Sequence, residues 1–210
     1  MAMDLLSFVF TVFFILIGPV KLIPAFAQLT QGADREFKRK VAILGTAIAF
    51  GIAALVALGG ETFVLKYRIS LDAVRIAGGL VLLIAVFFVL FARPRAFELP
   101  AVRPGALQLA ASPLATPIII PPAGVAAILI FVMLARGDPA MWPAIAVALV
   151  AILILDLLVM FFNDAVISIP GLLLVLQVLG GVLAFLQAAM AIQIMLIGIK
   201  GVGTVEPVFR

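Results

Sequence analysis

Long apolar stretches separated by short polar ones form the main pattern of this chain. Six of these stretches reach roughly 20 residues, the length at which an α-helix crosses the hydrocarbon of a bilayer. The pattern therefore predicts an all-α integral membrane protein with six transmembrane helices. The predicted spans cover residues 5–29, 41–60, 73–92, 113–135, 143–162 and 172–199.

Prolines interrupt two of the predicted spans. Gly18 and Pro19 precede Pro24 in the first span, and four prolines fall within residues 113–124 of the fourth. Each proline lacks a backbone N–H and blocks the helical hydrogen bond to the carbonyl four residues earlier. Broken spans at membrane depth are typical of transporter binding sites, so we predict that both breaks contribute to one substrate site. Its backbone-breaking members are Gly18, Pro19, Pro24, Pro117, Pro121 and Pro122.

The two halves of the chain share a weak internal similarity. The pairs Gly78-Gly79 and Gly180-Gly181 lie 102 residues apart, and a shift of 103 moves Gly18-Pro19 onto Pro121-Pro122. The alternative is chance, because glycine and apolar residues are common here. We predict two inverted three-helix repeats, residues 1–92 and 113–200, joined by a loop at 93–112 and followed by a polar tail at 201–210. All lie in a single membrane domain, and the glycine pairs predict close helix approach.

The composition supports a membrane protein and excludes several kinds of site. The chain is 66% hydrophobic with a mean hydropathy of +1.39, which no soluble domain matches. Its net charge of +4 comes from Lys and Arg in loops, so we expect no nucleic-acid partner. The sequence contains no Cys and no His, and we expect no metal site and no cofactor.

The distribution of Lys and Arg predicts the orientation in the membrane. The loop at residues 30–40 holds four of these cations and the loop at 93–111 holds three, and both loops fall on the same side. The connection at 61–72 lies on the other side. Because cytoplasmic loops carry an excess of Lys and Arg, we expect a multi-pass bacterial inner-membrane protein with both termini on the non-cytoplasmic side.

Two charged residues lie at membrane depth. Asp156 is near the middle of the fifth span, where a carboxylate is costly and normally faces the bundle interior or water. It either serves proton or cation coupling, or contacts a substrate ammonium, or is a structural partner for another group. Lys21 follows the first break; it either binds a substrate carboxylate or extends its ammonium to the interface. A pair between Lys21 and Asp156 is compatible with the sequence.

Four uncharged or peripheral polar residues are further candidates. Thr116 lies beside the second break, where its hydroxyl could satisfy freed backbone or a substrate. Gln187 and Gln193 lie six residues apart on the sixth span, hence on different faces, and either could join helices. Arg75 is near the start of the third span, as an interfacial anchor or a gate residue.

Four short motifs spread over most of the chain resemble one known family. They are Gly18-Pro19 with Pro24, residues 75–80, residues 113–117 running into Pro122, and residues 191–193 before Gly198-Ile199. Together they resemble the MarC family of six-span membrane proteins, within the lysine-exporter-like superfamily. The resemblance implies transport of small neutral amino acids, coupled to cations, and a site role for Gln193. Where family members carry Asp or Asn before the first proline and Gly-Asn after it, this chain has Gly18, Lys21 and Leu22, so it resembles a divergent member.

These observations predict a secondary transporter of a small polar solute, with a small neutral amino acid as the expected substrate. We expect alternating access around spans one and four, and contacts with membrane lipid and a small-molecule solute. The sequence leaves a homodimer open. The alternatives are a channel-like pore, a structural or regulatory membrane protein without transport, and an intramembrane enzyme. The sequence lacks the common hydrolase and nucleotide-binding motifs, so we predict that the chain is not an enzyme.

Overall fold

A computed structural model describes residues 2–91 and 104–202 of the chain. Within these ranges all regular secondary structure is helical, which confirms the predicted all-α class. Between the fifth and sixth helices lies an irregular stretch, Ala110–Ile119, which we call the proline segment; Ser112 and Thr116 have extended backbone within it. The helices are α1 (Ala2–Leu16), α2 (Pro19–Leu29), α3 (Arg35–Lys66), α4 (Leu71–Phe91), α5 (Ala106–Leu109), α6 (Pro122–Leu134), α7 (Met141–Phe161), α8 (Asn163–Ile167) and α9 (Leu172–Val202).

The length and apolarity of these helices fit an integral membrane protein. Five stretches are long and apolar enough to cross a membrane: Met3–Leu29, Arg35–Lys66, Leu71–Phe88, Met141–Phe161 and Leu172–Val202. A sixth exists if Ala106–Ile119 and Pro122–Leu134, which are bent by 62° at their junction, form one span. The described residues thus contain five or six candidate spans.

Helix α3 is longer than the sequence pattern predicted. Its N-terminus is capped by Asp34, whose side chain accepts a hydrogen bond from the Phe37 N–H at 3.4 Å. Glu36 in the first turn and Lys66 in the last turn complement the helix dipole. The predicted loop at 30–40 and connection at 61–72 are therefore wrong in extent, since charged residues that suit helix ends were assigned to loops. Most of the loop predicted at 93–111, and nearly all of the tail at 201–210, lie outside the described residues.

Helices α3 and α7 run antiparallel, and a salt bridge lies near each end of the pair. Lys38 Nζ lies 2.5 Å from the Asp164 carboxylate, just beyond the end of α7. At the other end, Arg136 Nε lies 2.9 Å from the Glu61 carboxylate, just before α7 begins. Helix α1 also packs against α7, and α4 packs mainly against α9. The core lies between α1, α2, α6 and α7, where Phe13, Phe26, Ile128 and Ile152 are fully buried.

One of the predicted glycine pairs lies at a close helix contact and the other does not. A Cβ added at Gly79 would lie 2.7 Å from the Ala191 carbonyl oxygen of α9. Gly198 makes a similar approach from α9, because its added Cβ would lie 2.7 Å from the Asp72 carbonyl oxygen. Nothing lies within 4 Å of a Cβ added at Gly180 or Gly181. Close approach was therefore predicted correctly for Gly79 and wrongly for Gly180-Gly181, which lie on an open part of α9.

We expect Gly79→Ala to destabilise the folded protein and Gly181→Ala to leave it at least as stable. The first change forces α4 and α9 apart, at a cost of about 1–3 kcal/mol for overpacking. The second meets open space and replaces a helical glycine, which favours folding by about 0.5–1 kcal/mol. Thermal unfolding of both variants in one detergent measures the difference; equal melting temperatures would contradict the close contact.

Candidate functional site

The first interruption separates α1 from α2 at Ile17 and Gly18. Gly18 has extended backbone and precedes Pro19, which occupies the first turn of α2, a position that needs no N–H donor. In a continuous helix the Ile15 carbonyl would accept from residue 19, and Pro19 has no N–H to give. The side-chain amide of Gln187 on α9 donates to the Ile15 carbonyl instead. A polar residue of the last span thus satisfies the carbonyl that the first break leaves free.

The second interruption separates the proline segment from α6. Ile120 donates from its N–H to the Ala115 carbonyl at 2.9 Å, and Pro121 then takes extended backbone before Pro122 begins α6. No side chain caps α6, and none caps α2. The first N–H groups of a helix have no partner inside it and carry the positive end of its dipole. Two uncapped helix N-termini therefore begin within the bundle.

A cavity lies between these two interruptions, and we call it the break cavity. Its volume is about 230 Å³. A smaller cavity of about 90 Å³ adjoins it and includes Gly18 and Gly180 in its wall. Both cavities are lined by Lys21 and Gln187, and Lys21 is exposed, so part of its exposed surface faces this space. The break cavity is lined by Leu16, Lys21, Ala25, Leu82, Ala85, Pro117, Ile118, Pro121, Ala123 and Gln187.

A second, larger cavity of about 300 Å³ lies between α1, α4, α6 and α9, and we call it the vestibule. It extends along the bundle towards the end where α1 begins and α9 ends, because Phe8 and Ile197 line it. Arg75 and Gln193 are its polar lining residues. Arg75 Nη1 also donates to Asp72 at 2.8 Å, within α4. The vestibule and the break cavity share three lining residues, Leu16, Leu82 and Ala123.

The opposite end of the bundle is tightly packed around α2. Phe26 and Leu29 are almost wholly buried, and so is Thr30, whose hydroxyl donates to the Phe26 carbonyl at 2.8 Å. The buried side-chain amide of Asn163, at the start of α8, donates to the Ile23 carbonyl at 3.0 Å. The described part of the molecule thus has a cavity towards the end where α1 begins and α9 ends, and close packing around α2 at the other end.

Asp156 is fully buried on α7. Neither of its carboxylate oxygens has a hydrogen-bond partner within residues 2–91 and 104–202. No salt bridge joins Asp156 to Lys21, and both residues lie in the described ranges. Removing a carboxylate from water without a partner is costly, so a functional reason is expected for its presence.

Thr46 on α3 is the other residue with a buried side-chain oxygen that lacks a hydrogen bond in the described ranges. It lies eight residues after Lys38, and Asp156 lies eight residues before Asp164. Because Lys38 and Asp164 are paired and the helices are antiparallel, these distances place Thr46 and Asp156 at similar depth. The guanidinium carbon of Arg39 lies 5.8 Å from the centroid of the Phe161 ring. This contact gives nearly the same register between α3 and α7.

The structure distributes the predicted site residues over several cavities. Gly18, Lys21, Pro117 and Pro121 line the break cavity or its small neighbour. Thr116 and Pro122 line a separate, more open cavity of about 630 Å³ between α4, α6 and the proline segment. Gln193 lines the vestibule. Pro19 and Pro24 belong to α2 and line none of these four cavities, and neither does Asp156.

Gln187 joins α9 to α1, as the sequence allowed, but its place beside this site was missed. The sequence did contain an indication: residue 19 is a proline, so the Ile15 carbonyl lacks its usual helical hydrogen bond. A polar side chain of another span can supply that bond. Asn163 was also missed, because it lies just after the fifth predicted span, which ends at residue 162. Its contact with Ile23 depends on the packing of α2 against α8, which the sequence pattern does not specify.

Comparisons with known proteins agree with an integral membrane protein. A family sequence model described as MarC family integral membrane protein matches residues 3–202. A UPF0056 membrane protein of Methanocaldococcus jannaschii is 28% identical over 213 residues, covering 95% of this chain and 98% of the relative. A UPF0056 membrane protein of Archaeoglobus fulgidus is 33% identical over 76 residues, which is 36% of either chain. No solved structure matches the chain.

Proposed function

The chain belongs to the MarC family of integral membrane proteins, and from this premise we propose that it is a secondary transporter of a small polar solute. The observation that carries the proposal is the break cavity, which lies between two interrupted spans and contains Lys21 in its wall. Half-helix ends beside a cavity at membrane depth are the usual way in which secondary transporters hold solute.

The proposed mechanism is alternating access. The vestibule leads from one end of the bundle towards the break cavity, while Phe26, Leu29 and Asn163 are buried at the other end. In our proposal the two halves, broken at prolines in spans one and four, are inverted repeats that rock around the break cavity. The orientation that we propose puts the vestibule on the non-cytoplasmic side of a bacterial inner membrane, following the positive-inside rule.

The proposed driving force is a gradient of protons or another cation, with Asp156 as the coupling residue. Support comes from its complete burial and its lack of a hydrogen-bond partner in the described ranges. The family resemblance of the sequence motifs favours a small neutral amino acid as the solute. Gly18, Pro19, Lys21, Pro24, Thr116, Pro117, Pro121, Pro122 and Gln193 are the residues that we propose around it.

Uptake by purified protein in liposomes tests the proposal. We expect flux of a labelled solute to saturate with its concentration, and unlabelled solute inside the liposomes to accelerate entry of label. Flux that rises linearly with the gradient, without this exchange, would indicate a channel-like pore. No flux above protein-free liposomes for a broad panel of amino acids and organic acids would favour a structural or regulatory protein.

A further inference from the structure

The vestibule and the break cavity form two consecutive compartments of one route. They meet at Leu16, Leu82 and Ala123, which line both cavities and are at most 5% exposed. These three apolar residues separate the vestibule from the part of the break cavity that Lys21 lines. The chemistry of the two compartments therefore determines which solute is accepted, provided that the proposed transport function holds.

The charged side chains of this route are all cations. Arg75 lines the vestibule and Lys21 lines the break cavity, and no Asp or Glu lines either compartment in the part of the chain that the structure describes. The amides of Gln193 and Gln187 are the other polar side chains of the two walls. Arg75 is paired with Asp72 at 2.8 Å, so the charge that attracts an anionic group to this lining is mainly that of Lys21.

The backbone adds to this positive potential. Helices α2 and α6 both begin beside the break cavity, because Lys21 lies in the first turn of α2 and Ala123 in that of α6. Neither N-terminus is capped by a side chain. Helix N-termini favour carboxylates and other anions, and here they accompany a lysine in the same wall.

A solute ammonium finds no comparable partner along the route. Asp156 lines none of the cavities, and Asp72 is paired with Arg75 at 2.8 Å. The Ile15 carbonyl, freed by the first break, already accepts from Gln187. An ammonium that enters the break cavity would therefore lose its hydrating water and gain no anionic side chain in exchange.

We propose that the recognised solute is a small monocarboxylate with an apolar body. Its carboxylate is held by Lys21 and the start of α2 and α6, while its apolar part lies against Leu16, Leu82 and Ala123. A neutral amino acid binds at this site through its carboxylate, and its ammonium contributes nothing to binding. This proposal names the substrate class of the site under the proposed transport function.

The test uses three probes that share an isobutyl group and differ in their head groups: 3-methylbutanoate, leucine and 3-methylbutylamine. Each is added to purified protein, and thermal stabilisation gives an apparent affinity. We expect 3-methylbutanoate to bind at least as tightly as leucine, and the amine to bind at least tenfold more weakly than either. Tighter binding of the amine, or binding of leucine alone, would overturn the proposal.

Variants at two lysines locate the binding. Lys21→Met should weaken binding of 3-methylbutanoate at least tenfold, and Lys21→Arg should retain most of it. Lys66→Met is the matched control, because Lys66 ends α3 and lines none of the four cavities; it should bind as the unaltered protein does. If Lys21→Met folds and binds 3-methylbutanoate as the unaltered protein does, the proposed site at Lys21 is wrong. If that variant fails to fold, the three probes on the unaltered protein still decide the substrate class.

Liposome uptake separates this proposal from the proposed function. If labelled leucine crosses the membrane by saturable exchange but 3-methylbutanoate does not compete, the substrate class is wrong and the transport function stands. If the carboxylate binds at Lys21 and no probe crosses, the recognition site stands and the transport function is wrong.

Discussion

Replacing Asp156 with Leu should give a protein that is more stable but no longer concentrates its solute. The carboxylate is fully buried, and neither oxygen has a hydrogen-bond partner in the described ranges. Exchanging an unpartnered buried polar group for an apolar one of similar size removes a desolvation penalty of about 1–3 kcal/mol. Gain of stability with loss of activity is the behaviour expected of a residue kept for function.

Asp156→Asn tests the coupling role with less change of shape. We expect gradient-driven accumulation in liposomes to fall at least 100-fold, while exchange of labelled for unlabelled solute continues. Exchange and accumulation lost together would assign Asp156 to solute binding and not to coupling.

Thr46→Val is the matched control for these variants. It removes the other buried side-chain oxygen without a described partner, at similar depth on the neighbouring helix, but it removes no charge. We expect it to keep accumulation within a few fold of the unaltered protein. Accumulation lost in Thr46→Val as completely as in Asp156→Asn would show that the hydroxyl takes part in coupling. Unchanged accumulation in both Asp156 variants would remove Asp156 from the mechanism.

The spans were predictable from the sequence because apolar length alone determines them. The membrane requires every backbone polar group to be hydrogen-bonded within the protein. Long apolar stretches without helix breakers therefore form continuous helices. Their ends were less predictable, as α3 shows. Arg35 and Lys66 are charged, and charge indicates a loop, yet both lie in helical turns at the ends of a 32-residue helix.

The site was predictable where a residue changes the backbone and less so where packing decides. Pro19 and Pro122 lie at the two predicted breaks, and each begins a helix. Gly79 and Gly181 have the same local sequence pattern, yet only Gly79 faces a neighbouring backbone. Likewise, Thr116 was expected beside the second break, and it lines a different cavity from Lys21. Which face of a helix meets which neighbour depends on contacts across the whole bundle.

Gly18→Ala should distort the first break. A Cβ at residue 18 would lie 2.3 Å from the Phe14 carbonyl oxygen, which also accepts from the Gly18 N–H at 3.1 Å. Because the obstacle is backbone, the end of α1 or the start of α2 must move. Overpacking of this kind costs about 1–3 kcal/mol.

The shift would also reach the solute, because Gly18 lines the small cavity beside Lys21 and the neighbouring Ile15 carbonyl is held by Gln187. Displacement of α2 moves Lys21 relative to α6, so we expect solute exchange to fall at least tenfold in protein that remains folded. Gly51→Ala is the control, since a Cβ there meets nothing within 4 Å. It should preserve exchange and raise the melting temperature slightly, because alanine favours a helix over glycine. A Gly18→Ala protein with the stability and exchange rate of Gly51→Ala would show that the break tolerates a side chain, and that its geometry does not set the position of Lys21.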